Sequence, residues 1–378
     1  MCAPTGRAAK RMSETTGEEA KTIHRLLDIG KIEDNKLENI DTDFAPIDAD
    51  VIVIDEMSMV DVFLMNYVTK AIYMGTKLVL VGDSNQLPSV GPGSVLKDII
   101  SSKKIPTINL DKIFRQAAKS KIILNAHKVN NGESFVTKNE VNENTKEDFF
   151  FIKENSQEKM IEQLISLTTG RLQKFGNYDF YQNMQVLTPT KKGALGTKEL
   201  NKTLQNSINP ENSKKKEKKF GDTVFREGDR VMQTKNNYDI FWERDINGKY
   251  ENSTGVFNGE IGRIEKIDLT ERQLKVIFDD GKNVWYQFSE LDQLELAYAI
   301  TIHKSQGSEF DVVLIAVPQT APMLLTRNLL YTAITRAKKL LIIIGTNRVI
   351  EFMIQNVDSK ERNTGLKDKI NSLLNDIN

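Results

Sequence analysis

The sequence predicts an α/β protein: two parallel-sheet units, the second interrupted by a small antiparallel β unit. Three observations lead there. Apolar, β-branched runs alternate with helix-length stretches at 51–81 and again between 185 and 344. Residues 220–292 break that pattern, with short strand signals set between Gly, Asn and Asp turns. A length of 378 residues, 39% of them hydrophobic, suits two or three domains with sizeable cores.

In order, Val51-Ile-Val-Ile54 is a buried-strand run that ends in Asp55-Glu56, and Leu78-Val-Leu-Val81 repeats it and ends in Gly82-Asp83. Residues 57–74 between them have helical spacing, so strand, crossover and strand form a βαβ unit. Both strands are apolar throughout, as expected where helices cover both faces of a sheet. Residues 29–48 are polar and read as a loop or short hairpin. In the second unit, Gln185-Val-Leu187 leads into Thr188-Pro189-Thr190, followed by strand candidates at 312–317 and 340–344. Turns such as Asn258-Gly259 and Asp280-Gly281 punctuate the inserted β unit. The run Lys214-Lys-Lys-Glu-Lys-Lys219 at its entry reads as a solvated linker, with a DNA contact as the alternative. The expected divisions are 1–104, then 105–219 with 293–350, the insertion 220–292, and a helical tail 351–378.

Composition narrows the function. Lys plus Arg and Asp plus Glu number 52 each, so any nucleic-acid binding must come from local basic patches. No apolar run approaches the roughly 18–20 residues of a membrane span. Pro4, Gly6, Arg7, Lys10 and Arg11 interrupt the apolar middle that a signal peptide needs. Cys2 is the only cysteine, so no internal disulfide forms, which fits a cytoplasmic location. No Cys/His cluster supports zinc.

Ligands of parallel sheets bind outside the carboxyl ends of the strands. Asp55 there is suited to holding Mg²⁺ through water, and Glu56 to polarising an attacking water; acidic strand ends are also common without any catalytic role. The loop Gly82-Asp-Ser-Asn-Gln-Leu-Pro-Ser-Val-Gly-Pro-Gly93 makes the catalytic alternative stronger. Its glycines let backbone approach a ligand. Gln86 both donates and accepts, which suits sensing a γ-phosphate or placing water.

Six segments in order resemble the motifs of RecD-like superfamily 1 (class B) DNA helicases, the exodeoxyribonuclease V α-subunit family. Cys2-Ala-Pro-Thr-Gly-Arg-Ala-Ala-Lys-Arg11 resembles motif Ia, Asp55-Glu-Met-Ser58 motif II and Gly82 to Gly93 motif III. Leu110-Asp-Lys-Ile-Phe-Arg-Gln116 resembles motif IV, Thr301-Ile-His-Lys-Ser-Gln-Gly-Ser-Glu-Phe310 motif V, and Tyr331-Thr-Ala-Ile-Thr-Arg-Ala337 motif VI. The resemblance implies two RecA-like domains, an SH3-type barrel at 220–292 and a strand-separating pin at 29–48. It implies ATP and Mg²⁺ as cofactors, with Asp55, Glu56 and Gln86 catalytic. Arg115 and Arg336 would reach the γ-phosphate from the opposite wall of a cleft; an arginine's planar, permanent charge suits phosphate oxygens and contributes about 10³–10⁵ in rate. Gly307 and Glu309 would lie near the nucleotide ribose and phosphates. Pro4, Thr5, Gly6, Arg7, Ser89, Val90, Thr188, Pro189, Thr190, Thr301, His303 and Lys304 would contact single-stranded DNA at a duplex junction, His303 being equally readable as a core residue. Nuclease-helicase partner subunits are implied as well, and no membrane.

The family's Gly-x-x-x-x-Gly-Lys-Ser/Thr loop does not occur in these 378 residues; Gly193-Ala-Leu-Gly-Thr-Lys198 is the nearest string, with the wrong spacing. Without that loop's amides, lysine and hydroxyl, no ATP hydrolysis is expected from these residues alone. The sheet is expected to keep an open edge, with self-pairing, aggregation or disorder near residue 1. Three readings stay open: the motor core of a 5′→3′ DNA helicase, a non-catalytic DNA- or partner-binding remnant, and a helicase module of a conjugative relaxase.

Overall fold

The computed structural model describes residues 1–29, 45–110, 119–136, 147–246, 248–357 and 362–375. The chain divides into two units, Met1–Arg115 with Asp358–Asn378, and Gln116–Val357.

Unit 1 runs β1 (Cys2–Ala3), α1 (Gly6–Thr16), β2 (Lys21–Thr22), α2 (Ile23–Leu26), β3 (Val51–Ile54), α3 (Val62–Ala71), β4 (Lys77–Leu80) and α4 (Val95–Ser102). Its sheet has the order β2-β1-β3-β4, parallel throughout. Threonine or aspartate starts each of the first three helices: the side chains of Thr5, Thr22 and Asp61 accept the amides of Ala8, Arg25 and Leu64. Asp61 also explains why the helix expected at 57–74 is divided into a short 3₁₀ turn, Met57–Met59, and α3. The core joins Cys2, Ile52, Ile54, Met57, Val60 and Val68. Burial pushes the Cys2 thiol up to about 11, so it stays protonated and unreactive near neutrality.

Two expectations about this sheet are corrected. Its strands are not covered on both faces: Val79 and Val81 are 44% and 46% exposed. The edges lie at β2 and β4, each paired with one strand among the described residues, whereas β1, next to residue 1, is flanked on both sides. The residues of the expected pin fall mostly on 30–44, outside the described residues.

Unit 2 opens with α5 (Lys121–Asn130), β5 (Phe149–Lys153), α6 (Gln157–Ser166), α7 (Leu172–Gly176), α8 (Phe180–Asn183), β6 (Met184–Thr188) and α9 (Thr197–Ile208). The inserted unit follows as a hairpin of β7 (Glu217–Phe220) and β8 (Thr223–Arg226). After it come β9 (Arg230–Gln233), β10 (Asn237–Ile246), β11 (Lys249–Val256), β12 (Ile261–Asp268), β13 (Gln273–Phe278), β14 (Asn283–Gln287) and β15 (Leu294–Leu296). The chain then returns through β16 (Ala299–Thr301), β17 (Phe310–Ala316), α10 (Arg327–Ile334), β18 (Ala337–Gly345) and α11 (Asn347–Gln355). The parallel sheet has the order β16-β6-β17-β18-β5, and β6 and β17 are buried almost residue by residue. The antiparallel sheet, β11-β10-β14-β13-β12-β9-β15, alternates inward and outward residues along β13 and β14.

The lysine run is not a solvated linker. Its second half is β7, paired with β8, and Lys218 Nζ lies 4.5 Å over the Phe288 ring; long lysine stems cover apolar surface while the ammonium stays wet. A buried polar junction joins the inserted unit to the α/β part. Asp229 Oδ1 accepts from Asn209 Nδ2 (2.7 Å) and the Tyr298 hydroxyl (2.8 Å). Its Oδ2 accepts from Gln205 Nε2 (2.6 Å) and the Arg226 amide (2.7 Å). Apolar packing is continuous across the same boundary, with Val231, Val276 and Tyr286 in one cluster with Val186 and Leu314. The tail is two helices that part company: α11 packs on α10 in unit 2, and α12 (Leu366–Asn375) lies along α4 in unit 1.

Candidate functional site

Backbone bonds draw the carboxyl ends of β1, β3 and β4 together. The Asp55 amide donates to the Cys2 carbonyl (3.0 Å), the Val81 amide to Ile54 (2.8 Å), and the Met57 amide to Val81 (3.0 Å). The loops carrying Pro4-Thr5-Gly6-Arg7, Asp55-Glu56 and Gly82 to Gly93 therefore leave one edge of one sheet. Gly82 is required there: a Cβ would lie 2.9 Å from the Met57 amide nitrogen. Glu56 adopts φ 54°, ψ 41°, a left-handed conformation that costs a non-glycine residue about 1–2 kcal/mol. Its amide is held by Asp55 Oδ1 at 2.7 Å. Strain of this kind, kept at a strand end between two loops, is the pattern seen where a side chain must be aimed.

Asp83, which the sequence did not single out, organises the next loop. Its carboxylate accepts the Asn85 amide (2.9 Å) and Gln86 Nε2 (3.4 Å), and its carbonyl accepts the Gln86 amide (3.3 Å). Thr5 is the N-cap of α1, whose positive dipole end therefore faces the same edge. Among the described residues no group of three or more His, Cys, Asp and Glu forms a metal cage. A single carboxylate fits Mg²⁺ all the same, because that ion keeps most of its waters and takes one or two protein carboxylates plus substrate phosphates. Asp55 would hold it, and the ion would neutralise charge on phosphate oxygens.

The DNA-facing candidates divide by burial. In unit 1 Ser89 is buried while its neighbour Val90 is 94% exposed. In unit 2 Thr188 and Pro189 are buried and Thr190 only partly so. The Thr188 hydroxyl donates to the Leu195 carbonyl at 2.7 Å, and Thr301 is buried with its hydroxyl accepting the Lys304 amide (3.3 Å). The side chains of Ser89, Thr188, Pro189 and Thr301 thus set loop shape and do not face solvent, a correction to their expected surface role. Exposed cations at that end of β6 are instead Lys191 and Lys192, which the sequence reading left out. Replacing Thr188 with Val is expected to lower unfolding free energy in a denaturant titration by about 1–3 kcal/mol, since it strands a buried carbonyl.

His303 is exposed and so is not a core residue, yet desolvation holds its pKa below the ordinary histidine value. Lys304 pairs with Glu295 at 2.8 Å, and Glu309 with Lys338 at 3.4 Å. Gly307 is buried at φ 70°, where a side chain is strained. Arg336 is 3% exposed; it donates to the carbonyls of Thr332 (3.1 Å) and Ser308 (3.1 Å), which ties the end of α10 to the Gly307–Glu309 stretch. Arg115 lies outside the described residues.

Residues 1–147 match the model of an AAA domain, 200–278 that of the ATP-dependent RecD-like DNA helicase SH3 domain, and 296–344 that of a UvrD-like helicase C-terminal domain. The chain is 33% identical over 372 residues to the ATP-dependent RecD2 DNA helicase of Deinococcus radiodurans, covering 98% of this chain and 46% of that protein. It is 26% identical over 418 residues to RecBCD enzyme subunit RecD of Buchnera aphidicola subsp. Schizaphis graminum, covering 94% and 66%. The chain thus spans from about half to about two thirds of the length of these relatives. The crystal structure of Pif1 helicase from Bacteroides with ADP-AlF3 and ssDNA is similar in fold, with a TM-score of 0.51 over 93% of this chain and 83% of that one, at 18% identity.

Proposed function

The chain belongs to the RecD-like family of DNA helicases, and from that premise we propose that these residues form the motor core of an ATP-dependent helicase. In this reading it tracks 5′→3′ along single-stranded DNA to a duplex junction, in recombination or repair, beside nuclease-helicase partner subunits. The observation that supports it most directly is the joining of three strand ends, which puts Asp55, Glu56 and the loop of Gln86 at one sheet edge. Glu56 would take the proton of the attacking water and Gln86 would orient that water; Arg115 and Arg336 would neutralise charge on the transferring phosphoryl group. Because the 378 residues contain no phosphate-gripping loop, turnover belongs to a polypeptide that also carries one. A non-catalytic DNA-binding role is the second reading.

Single-stranded DNA binding tests both readings against a chain with neither role. With Lys191 and Lys192 exposed at the end of β6, affinity for an oligothymidylate should fall steeply as salt rises. Each neutralised phosphate adds about −0.7 to the slope of log K against log salt, so Lys191→Ala should flatten it by about that amount. Binding that is absent, or indifferent to salt, would remove DNA from the proposal.

A further inference from the structure

The C-terminal segment supplies a cation to the loop that follows β4. Arg362 Nη1 donates to the carbonyls of Gly91 (2.6 Å) and Gly93 (2.8 Å) and to Ser89 Oγ (3.2 Å). Nη2 donates to the Ser89 carbonyl at 2.5 Å. Four oxygens from three loop residues thus surround one guanidinium, and its partners among the described residues are carbonyls and a hydroxyl, not carboxylates. The segment is well anchored for this work. Thr364 Oγ1 donates to the buried Asp98 at 2.5 Å, and Leu366 and Ile370 pack on the core of unit 1.

The same loop is gripped from the other side. The Val62 amide donates to the Pro92 carbonyl at 3.0 Å, and a Cβ on Gly91 would fall 1.9 Å from Asp61 Oδ2. Ser89 Oγ donates to the Gly91 carbonyl at 3.1 Å. What the loop sends outward is Val90. Ser-Val-Gly-Pro-Gly is a costly sequence to order, because each glycine loses more backbone freedom than any other residue.

Resting on the helicase reading, we infer that Arg362 is a positioning residue for single-stranded DNA binding: it holds residues 89–93 in the shape that presents Val90, without touching the DNA. Binding then finds the loop already ordered. Lysine cannot substitute, since a point-charge ammonium lacks the planar fork that reaches several oxygens together.

The test compares the full chain with its Arg362→Ala, Arg362→Lys and Thr364→Val forms by hydrogen exchange and by oligothymidylate titration over a range of salt. Arg362→Ala is expected to lose protection at the Val62 amide and to bind about tenfold more weakly, the cost of ordering the loop on binding. Its salt slope should not change, whereas removal of a direct phosphate contact would flatten it by about 0.7. Arg362→Lys should behave like the alanine form. Thr364→Val loosens the helix but keeps the guanidinium, and should bind like the parent. Unaltered affinity in a folded Arg362→Ala chain overturns the inference; so does a flattened slope, or an equal loss in Thr364→Val. If the alanine form does not fold, the lysine form carries the same readouts. A parent chain that binds no oligothymidylate sinks the helicase reading instead, and exchange at Val62 still reports whether Arg362 orders the loop.

Discussion

With a strand and a Gly-x-x-x-x-Gly-Lys-Thr loop fused ahead of Met1, the chain should gain ATP hydrolysis stimulated by single-stranded DNA, and Glu56→Gln should reduce its kcat by about 10²–10⁴-fold, the usual contribution of a general base. The unextended chain should show no turnover with either residue at position 56. Glutamine matches glutamate in shape, so the left-handed backbone at 56 and the Asp55–amide bond are kept, and only the capacity to take a proton goes. Binding of nucleotide and DNA should therefore survive in the variant, and the loss should appear in kcat and not in KM. A steady-state assay of the extended pair decides it. Equal turnover with Glu and Gln would reduce Asp55-Glu56 to an ordinary acidic strand end. A loop-bearing chain that stays inert would favour the non-catalytic reading.

The sequence made the strands of this site legible because each is a continuous apolar run that ends in a polar residue. Val51–Ile54, which runs into Asp55, stands out against any background for that reason. The inserted sheet was legible through its turns. What could not be read were contacts set by tertiary distance. Arg362 and Ser89 are separated by 273 residues, and a lone arginine in a polar tail carries no signal of four waiting oxygens. Asp83 sits inside a recognised motif yet holds its loop through backbone amides, a role that any turn aspartate could have. Thr188 and Thr301 misled for a related reason. A hydroxyl at a strand end suits a phosphate and a neighbouring backbone group equally, and burial chose the second. Val79 misled in the other direction: an apolar strand implies cover, but β4 lies at an edge.

Asp229, in the turn between β8 and β9, supports the largest stability effect expected in the molecule. Four donors converge on its two oxygens, and they come from α9 and the residue that follows it, the end of β8 and the segment between β15 and β16. Only a group that accepts on both oxygens satisfies them. Asparagine, with one acceptor, turns its own N–H₂ toward two donors, so Asp229→Asn should destabilise unit 2 by about 3 kcal/mol and Asp229→Ala by about 3–5. For a unit of this size, about 3 kcal/mol lowers the melting temperature by roughly 6–12 °C. Burial raises the Asp229 pKa above its ordinary 3.8, against the pull of the four donors. The folded chain therefore binds this proton more readily than the unfolded chain does. The residue's stabilising contribution is complete below pH 3.8 and is lost as pH rises through the raised value. The deficit of Asp229→Asn should accordingly widen on acidification through that window. Thermal melts of the two proteins at neutral and acidic pH measure both quantities. A variant as stable as the parent at neutral pH would mean that the junction is relaxed or hydrated. The inserted sheet would then be attached to the α/β part by apolar packing and by Arg230, which donates to the carbonyls of Phe180, Tyr181 and Met184.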